Sequence, residues 1–485
     1  MVAKIFRKQK QEKLKRKKPR NLRKTTEIES KLARDAGRME NESLVKLLDT
    51  APVSRFHYGL LIICSLAYAL TGMGVMLISV LLTPIGKEWG LSPVTKGMLA
   101  SAGYVGMFFG AIGCGFLADL VGRKKTLLFT IVLSSIFTAL CAVAWDVSSM
   151  AVLRFLAGIG LGGALPQPGV YVSEYTPAKY RGRFLGITET SWVYGVLLGL
   201  FSGWLLVEPF GWRIVFLVAL VSLILVPSIF WVIPESIRYL EEKRQRREAA
   251  EILRKRGLTS VAVTSKKSEV GLHKKHGGRL LVKSALREMW SSSYWKRTAV
   301  LWILWIVLVY TYHGIFIWLP SIYATELGFP EVRAIWFVMV VTLFQIPGYY
   351  SATFLLDRFG RKPVLIGYLA LAGVGSYLLG FSGDVSSILV WSSVISFFNL
   401  GAWAGLYTYT PELYPTRMRG SGSGVAASLG RFAGIFAPTI TPLLLVSAGL
   451  WLPFAVFALA HGAAALSVAV LGTETKGRIL EEIAE

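Results

Sequence analysis

The stretch ADLVGRKK (118 to 125) returns, slightly altered, as LDRFGRKP (356 to 363). Asp119 and Asp357, Gly122 and Gly360, Arg123 and Arg361, and Lys124 and Lys362 are each 238 residues apart. The same interval separates Asp146-Val147-Ser148-Ser149 from Asp384-Val385-Ser386-Ser387. It also separates Glu174, Pro177, Arg181 and Gly182 from Glu412, Pro415, Arg419 and Gly420. One half of the chain is a copy of the other.

Of 485 residues, 53% are hydrophobic and 17% charged, and the mean hydropathy is +0.52. Such a chain is too apolar for an ordinary water-soluble globule, and a bilayer is its expected solvent. Apolar runs of about 20 residues are long enough to span. Six lie between 56 and 233 and six between 299 and 472, which predicts an all-α membrane protein. Its twelve helices should form two pseudo-symmetric bundles of six.

The formal charge of +24 and the tract KLKRKKPR (13 to 20) could suggest nucleic-acid binding, but the distribution of charge argues against that partner. With the N-terminus inside, 47 of the 53 Lys and Arg fall on cytoplasmic segments and four on the opposite face, leaving Arg154 and Arg431 in the membrane. This is the positive-inside bias, and it places both termini in the cytoplasm. The first 24 residues carry twelve basic side chains against Glu12, so the tail is expected to lie on anionic lipid headgroups. Cys64, Cys114 and Cys141 all fall inside apolar runs, giving neither a disulfide framework nor a metal site. The expected location is a plasma membrane, multi-pass, with the protein acting as a monomer.

The organisation that follows is a basic tail (1–55), a first bundle (56–233), a cytoplasmic linker (234–298), a second bundle (299–472) and a short tail (473–485). Within the linker, EEKRQRREAAEILRKRG (241 to 257) predicts a surface helix ending at Gly257. Two copied bundles joined by a linker can rock about a site between them.

These features resemble the major facilitator superfamily over about residues 50 to 483, through GFLADLVGRKK (115 to 125) and LDRFGRKP. PESIRYL (234 to 240), TPELYPTRMRGSGSG (410 to 424) and TETKGRILEEI (473 to 483) are similar to its sugar-porter and nicotinate-transporter branches. SRFHYGLL (54 to 61) and EWGLSP (88 to 93) are most similar to the nicotinate and aromatic-acid group. The resemblance implies a secondary transporter working by alternating access.

Each copy of the repeated loop sets a carboxylate at a helix end beside a glycine turn and several cations. Such groups can hold one conformational state through an inter-helix network. Asp119 is expected to bond to the N-terminus of the eleventh helix, where unpaired amides favour an anion. Arg123 is expected to pair with Glu174 and Glu235, while Asp357 and Arg361 do the mirror-image work with the fifth helix and Glu412. Arg181, Arg419 and Glu474 belong to the same expected gate. The plain alternative is a set of topology determinants and solvated charges.

Ionisable groups at membrane depth are costly and mark function. Arg154, Glu189, Arg431 and His313 are the candidates. The family carries an arginine at the position of Arg154, and its nicotinate-like branch also carries the equivalents of Glu189 and Arg431. Arg431 is expected to hold an anionic group of the substrate through two hydrogen bonds; a structural pair with Glu189 is the alternative. His313 could be a hydrogen-bonded core histidine or take a substrate or proton role. Tyr312, Trp318, Trp403 and Tyr407 could line the cavity, where rings suit an aromatic or sugar-ring substrate, or could serve packing alone.

Where the aromatic-acid group carries acidic residues in its first helix, this chain has Thr71 and Gly74. Glu189 is then the expected proton carrier, if the solute moves with protons. The expected cargo is a small organic solute, most simply an aromatic or heterocyclic acid. A sugar or polyol ranks second because the paired glutamine of sugar porters is missing from 305 to 323. A transporter-like sensor that binds without translocating is a different class, kept open by the long tail and linker. GxxxxGK[ST] does not occur, so nucleotide drive is not expected; nor is a cofactor or an enzymatic activity.

Overall fold

The computed structural model describes residues 48, 52–243, 245–258, 287–414 and 416–476. Among these, twelve helices are long and apolar enough to cross a membrane. We number them α1 (Arg55–Glu88), α2 (Pro93–Val121), α3 (Arg123–Val143), α4 (Val147–Tyr175), α5 (Lys179–Phe210) and α6 (Trp212–Val232). The second six are α7 (Trp295–Phe316), α8 (Glu331–Phe359), α9 (Arg361–Gly380), α10 (Val385–Glu412), α11 (Gly422–Ala448) and α12 (Trp451–Leu471). A bilayer offers backbone groups no hydrogen bonds, so a spanning chain closes them within each helix. The described residues contain no strand.

The expected spans are all present and most extend beyond their apolar runs, because the ends are capped by polar residues in the loops. Ser92 accepts from Thr95 N at 3.2 Å, with Pro93 opening α2. Asp146 Oδ1 and Asp384 Oδ2 accept from Ser149 N and Ser387 N at 2.8 and 2.9 Å. These two caps are copies of each other. One expectation needs correction: the run 299–325 is not one helix. It ends as α7 at Phe316, and Leu319–Glu326 forms a separate helix with a proline in its first turn. The linker also divides, into helices Ile237–Glu242 and Arg246–Lys255. The second of these stops just before Gly257, at φ 66°.

Between lipid-embedded helices close contact replaces the hydrophobic effect as the source of cohesion, and small residues permit it. A Cβ on Gly158 of α4 would strike the Gly103 carbonyl of α2, and one on Gly106 of α2 would strike the Phe155 carbonyl of α4. A Cβ on Gly195 of α5 would strike the Ala69 carbonyl of α1. Gly195→Val is therefore expected to destabilise the bundle by about 1–3 kcal/mol through overpacking. Gly186→Ala, whose Cβ meets nothing within 4 Å, should behave as wild type. Melting of the detergent-purified proteins distinguishes them, and equal melting points would show that the α1–α5 contact does not limit stability.

Candidate functional site

The repeated loop is built identically in both halves. Gly122 and Gly360 adopt φ of 104° and 103°, a region open to glycine and strained for other residues. Both also leave room for a carboxylate. A Cβ at Gly122 would collide with Glu235, and one at Gly360 would lie 2.6 Å from Glu474 Oε2. Glu235 Oε1 accepts from the backbone N–H of Arg123 and Lys124 at 2.9 and 3.1 Å. Glu474 accepts from those of Arg361 and Lys362, both at 2.9 Å. Burial pushes the Glu474 carboxyl up, but backbone donors from Lys476, Arg361, Lys362 and Thr475 outweigh it and hold the group below the usual carboxylate range. Its anchoring is thus fully present above that range and weakens as pH falls through it.

The side chains complete the anchor. Arg123 bonds to Glu174, which also accepts from Ser236 Oγ at 2.6 Å. Arg361 grips Glu412 through Nε and Nη2 at 3.0 and 2.8 Å, and Thr475 Oγ1 donates to the same carboxylate at 2.6 Å. Arg181 Nη2 donates to Thr176 O at 3.4 Å, and the Arg419 side chain lies outside the described residues.

These bonds show which carboxylates take the helix amides in this structure. The anion at a helix N-terminus is Glu235 on α3, and its copy Glu474 on α9, because the glycine beside those amides leaves space that only a neighbouring carboxylate fills. Asp119 instead lies exposed, with no hydrogen bond or ion pair to any described residue. Asp357 is 83% exposed and reaches only Arg361 of its own half, at 3.8 Å. The Arg123–Glu174 and Arg361–Glu412 pairs also stay within single bundles, so they tie helices of one half together and do not bridge the two.

Bridges between the halves lie elsewhere. Thr83 Oγ1 and Ser321 Oγ, themselves 238 residues apart, share a hydrogen bond of 2.9 Å. Lys87 pairs with Glu331 at 2.6 Å. Ser101 Oγ donates to Ile435 O at 2.6 Å and lies 2.8 Å from Thr439 Oγ1. All of these sit toward the end of the bundle away from the repeated loops. Nearer mid-depth, Trp192 Nε1 donates to the Tyr312 hydroxyl at 2.8 Å, and the Tyr68 and Tyr407 hydroxyls are 3.3 Å apart. The described contacts between the halves are concentrated toward the far end and at mid-depth, and a cleft of about 860 Å³ lies between the halves at the far end, lined by Lys87, Trp204, Glu331 and Trp336.

Beside the tyrosines that meet between the halves stand Glu189 on α5 and Arg431 on α11, both partly exposed. Glu189 lies beside the Tyr68 and Tyr407 hydroxyls, and its Oε2 is buried without a hydrogen-bond partner. Arg431 lies near the same two tyrosines and pairs with no described carboxylate. A structural Arg431–Glu189 ion pair is therefore absent. Tyr407 belongs to an aromatic cluster with Trp305 and Trp403, ring centres 5.6 and 5.7 Å away. Tyr312 touches Trp403 at 6.3 Å and reaches Gln345 Oε1 through a long contact of 3.5 Å.

The remaining candidates are set deeper. Arg154 is 2% exposed, with Nε and Nη1 unpartnered, and lies beside Tyr104 and Cys141. His313 donates from Nδ1 to Val309 O at 2.8 Å and meets the Tyr104 ring edge-on at 4.9 Å. Trp318 is 2% exposed and donates to Pro438 O at 2.9 Å. That places it within the second half, toward the far end. Tyr68, Trp192, Trp305 and Gln345 were not singled out in the sequence. Only a side-chain spacing set by four different helices brings them to the axis.

A family model described as sugar (and other) transporter matches residues 86–485. The chain belongs to that family, within the major facilitator superfamily. It is 36% identical to the niacin transporter of Acinetobacter baylyi, over 91% of this chain and 99% of that protein. With the gallate transporter of Pseudomonas putida it shares 31% identity over 88% of this chain and 94% of the other. The fold is similar to that of the xylose transporter of E. coli, with a TM-score of 0.71 to that protein's partially occluded inward-open structure, 18% identity, and coverage of 88% of this chain and 100% of that one.

The Thr83–Ser321 contact between the halves can be trapped. Thr83→Cys with Ser321→Cys is expected to form a disulfide on mild oxidation, since the native hydroxyls are in contact and Cys64, Cys114 and Cys141 are buried. Transport should stop on oxidation and return on reduction. Unimpaired transport by the oxidised, crosslinked protein would show that this contact does not open during the cycle.

Proposed function

We propose that the protein is a secondary transporter that moves a small aromatic or heterocyclic carboxylate across the plasma membrane by alternating access. The observation that carries this reading is the partly exposed guanidinium of Arg431 at membrane depth, paired with no described carboxylate and beside an aromatic cluster. A buried cation without a counter-ion is costly, and a substrate carboxylate is the anion that can relieve that cost in two parallel hydrogen bonds. Niacin and gallate, named for the two relatives, are both small aromatic carboxylates. A sugar would want several amide and carboxylate partners, whereas the rings of Trp305, Trp403 and Tyr407 offer apolar faces.

On this reading the loop end is cytoplasmic, as its basic charge requires, and the exposure of Asp119 and Asp357 fits an inward-facing state. Asp119 and Asp357 are then groups waiting for the other state, in which the loop end closes and brings them to α11 and α5. The Thr83–Ser321 crosslink should accordingly hold a cysteine placed at Asp119 open to labelling. Protection of that cysteine in the crosslinked protein would argue against such a gate.

Glu189 is proposed as the proton carrier: it is a carboxyl at depth, with one oxygen unbonded and two phenol hydroxyls beside it. Uptake of labelled aromatic acids into proteoliposomes tests both roles. Arg431→Gln should lower the apparent affinity about 10- to 100-fold, the worth of charged hydrogen bonds, and Arg431→Lys should recover part of it. Glu189→Gln should abolish accumulation driven by a pH gradient while sparing solute exchange. Wild-type uptake of xylose but of no aromatic acid would overturn the reading.

A further inference from the structure

The tryptophans around the axis differ in one respect. The indole N–H of Trp192 is committed to Tyr312 at 2.8 Å, that of Trp305 to Thr410 Oγ1 at 3.1 Å and that of Trp318 to Pro438 O at 2.9 Å. Trp403 Nε1 is buried and has no partner. The residue is 9% exposed and fenced by Trp305 at 5.8 Å, Tyr407 at 5.7 Å and Tyr312 at 6.3 Å. A buried N–H without an acceptor costs about 1–3 kcal/mol, and buried indoles ordinarily find one. None of its ring neighbours supplies one. The Tyr312 hydroxyl bonds to Trp192 and Gln345 and the Tyr407 hydroxyl to Tyr68, and neither oxygen makes a hydrogen bond with Trp403 Nε1.

Trp403 stands four residues before Tyr407 on α10, one turn or about 6 Å along the axis. Tyr407 marks the level of Arg431 and Glu189. A carboxylate held at Arg431 would therefore leave the far edge of a single aromatic ring at the level of the Trp403 indole. That group is only a donor. It is satisfied by a ring atom with a lone pair and left unsatisfied by a C–H, which is how a polar site rejects an isosteric apolar ligand.

We infer that Trp403 is a specificity-determining residue whose indole N–H donates to a lone pair on the substrate ring, so that the transporter selects a pyridine-type carboxylate over its carbocyclic isostere. This rests on the aromatic-acid reading above, and the ligands are chosen to separate the two. Binding of pyridine-3-carboxylate, benzoate and N-methylpyridinium-3-carboxylate, which lacks the ring lone pair, is measured on the full-length purified protein by calorimetry. The wild type should bind pyridine-3-carboxylate about tenfold more tightly than either analogue, the worth of one satisfied donor. In Trp403→Phe, which keeps a ring and removes the N–H, the ratio of pyridine-3-carboxylate to benzoate affinity should fall toward one. Equal wild-type affinity for all three acids, or an unchanged ratio in a Trp403→Phe protein that still binds, overturns the inference while leaving the aromatic-acid reading intact. Failure of the wild type to bind any of them sinks that reading instead. If Trp403→Phe does not fold, the wild-type ligand series decides alone.

Discussion

The architecture depends on two carboxylates that sit where a glycine has no side chain. Glu235 and Glu474 each cap the first amides of a spanning helix from the far side of a bundle, more than a hundred residues away in sequence. A helix N-terminus gathers unpaired N–H groups and a partial positive charge, so a carboxylate there serves as both cap and counter-charge. Arg123 and Arg361 then bind a second carboxylate, on α4 or α10. Three separate segments are thereby pinned in each half. Isolated interfacial ion pairs are worth little, but these are partly buried and share their acceptors with backbone and hydroxyl donors. Each bundle behaves as a unit, and the compliant surface is the one between bundles.

That surface is asymmetric along its length. At the far end it holds by small polar contacts: a hydroxyl on a hydroxyl, a serine on a carbonyl, a lysine on a glutamate. Each is worth about 1 kcal/mol net, so the contact is made of pieces that a rocking motion can break one by one. A conformational equilibrium of a few kcal/mol is within reach of a ligand that binds one state better than the other. The Thr83–Ser321 contact has a further meaning: the two residues occupy equivalent places in the two copies. A bond between equivalent positions lies on the pseudo-twofold axis, so the duplication is a relation in space as well as in sequence.

Much of this was legible from the chain. The interval of 238 residues fixed the repeat, and bilayer length fixed the spans, because both are one-dimensional signals. The pairing of Arg123 with Glu174 and of Arg361 with Glu412 followed from charge and spacing. What could not be read was which carboxylate takes the helix amides. Asp119 and Glu235 are both acidic and both near the loop, and the choice rests on a void of one methyl group beside Gly122. The break after Phe316 was hidden because Trp318, Leu319 and Pro320 keep the run apolar while the helix ends. Trp403 was visible as a ring near the axis. Its uncommitted N–H appears only when the partners of its neighbours are known.

The place of Glu189 shows how a missing residue can be compensated by geometry. At the position in α1 where the resemblance to the aromatic-acid group implies an acid, Thr71 spends its hydroxyl on the Ala67 carbonyl at 2.7 Å, a bond inside its own helix. Glu189, on α5, stands beside Tyr68 of α1 and Tyr407 of α10. It therefore touches elements from both bundles, and the contact between those tyrosines spans the interface. When the loop end closes, the hydroxyls that face this carboxyl must shift with the helices that bear them, so the cost of holding its charge changes with the state of the transporter. Arg431 lies near the same pair of phenols. On the proposed reading, cation, carboxyl and the moving interface converge on Tyr68 and Tyr407, and through that shared contact substrate binding and proton release would act on one conformational equilibrium.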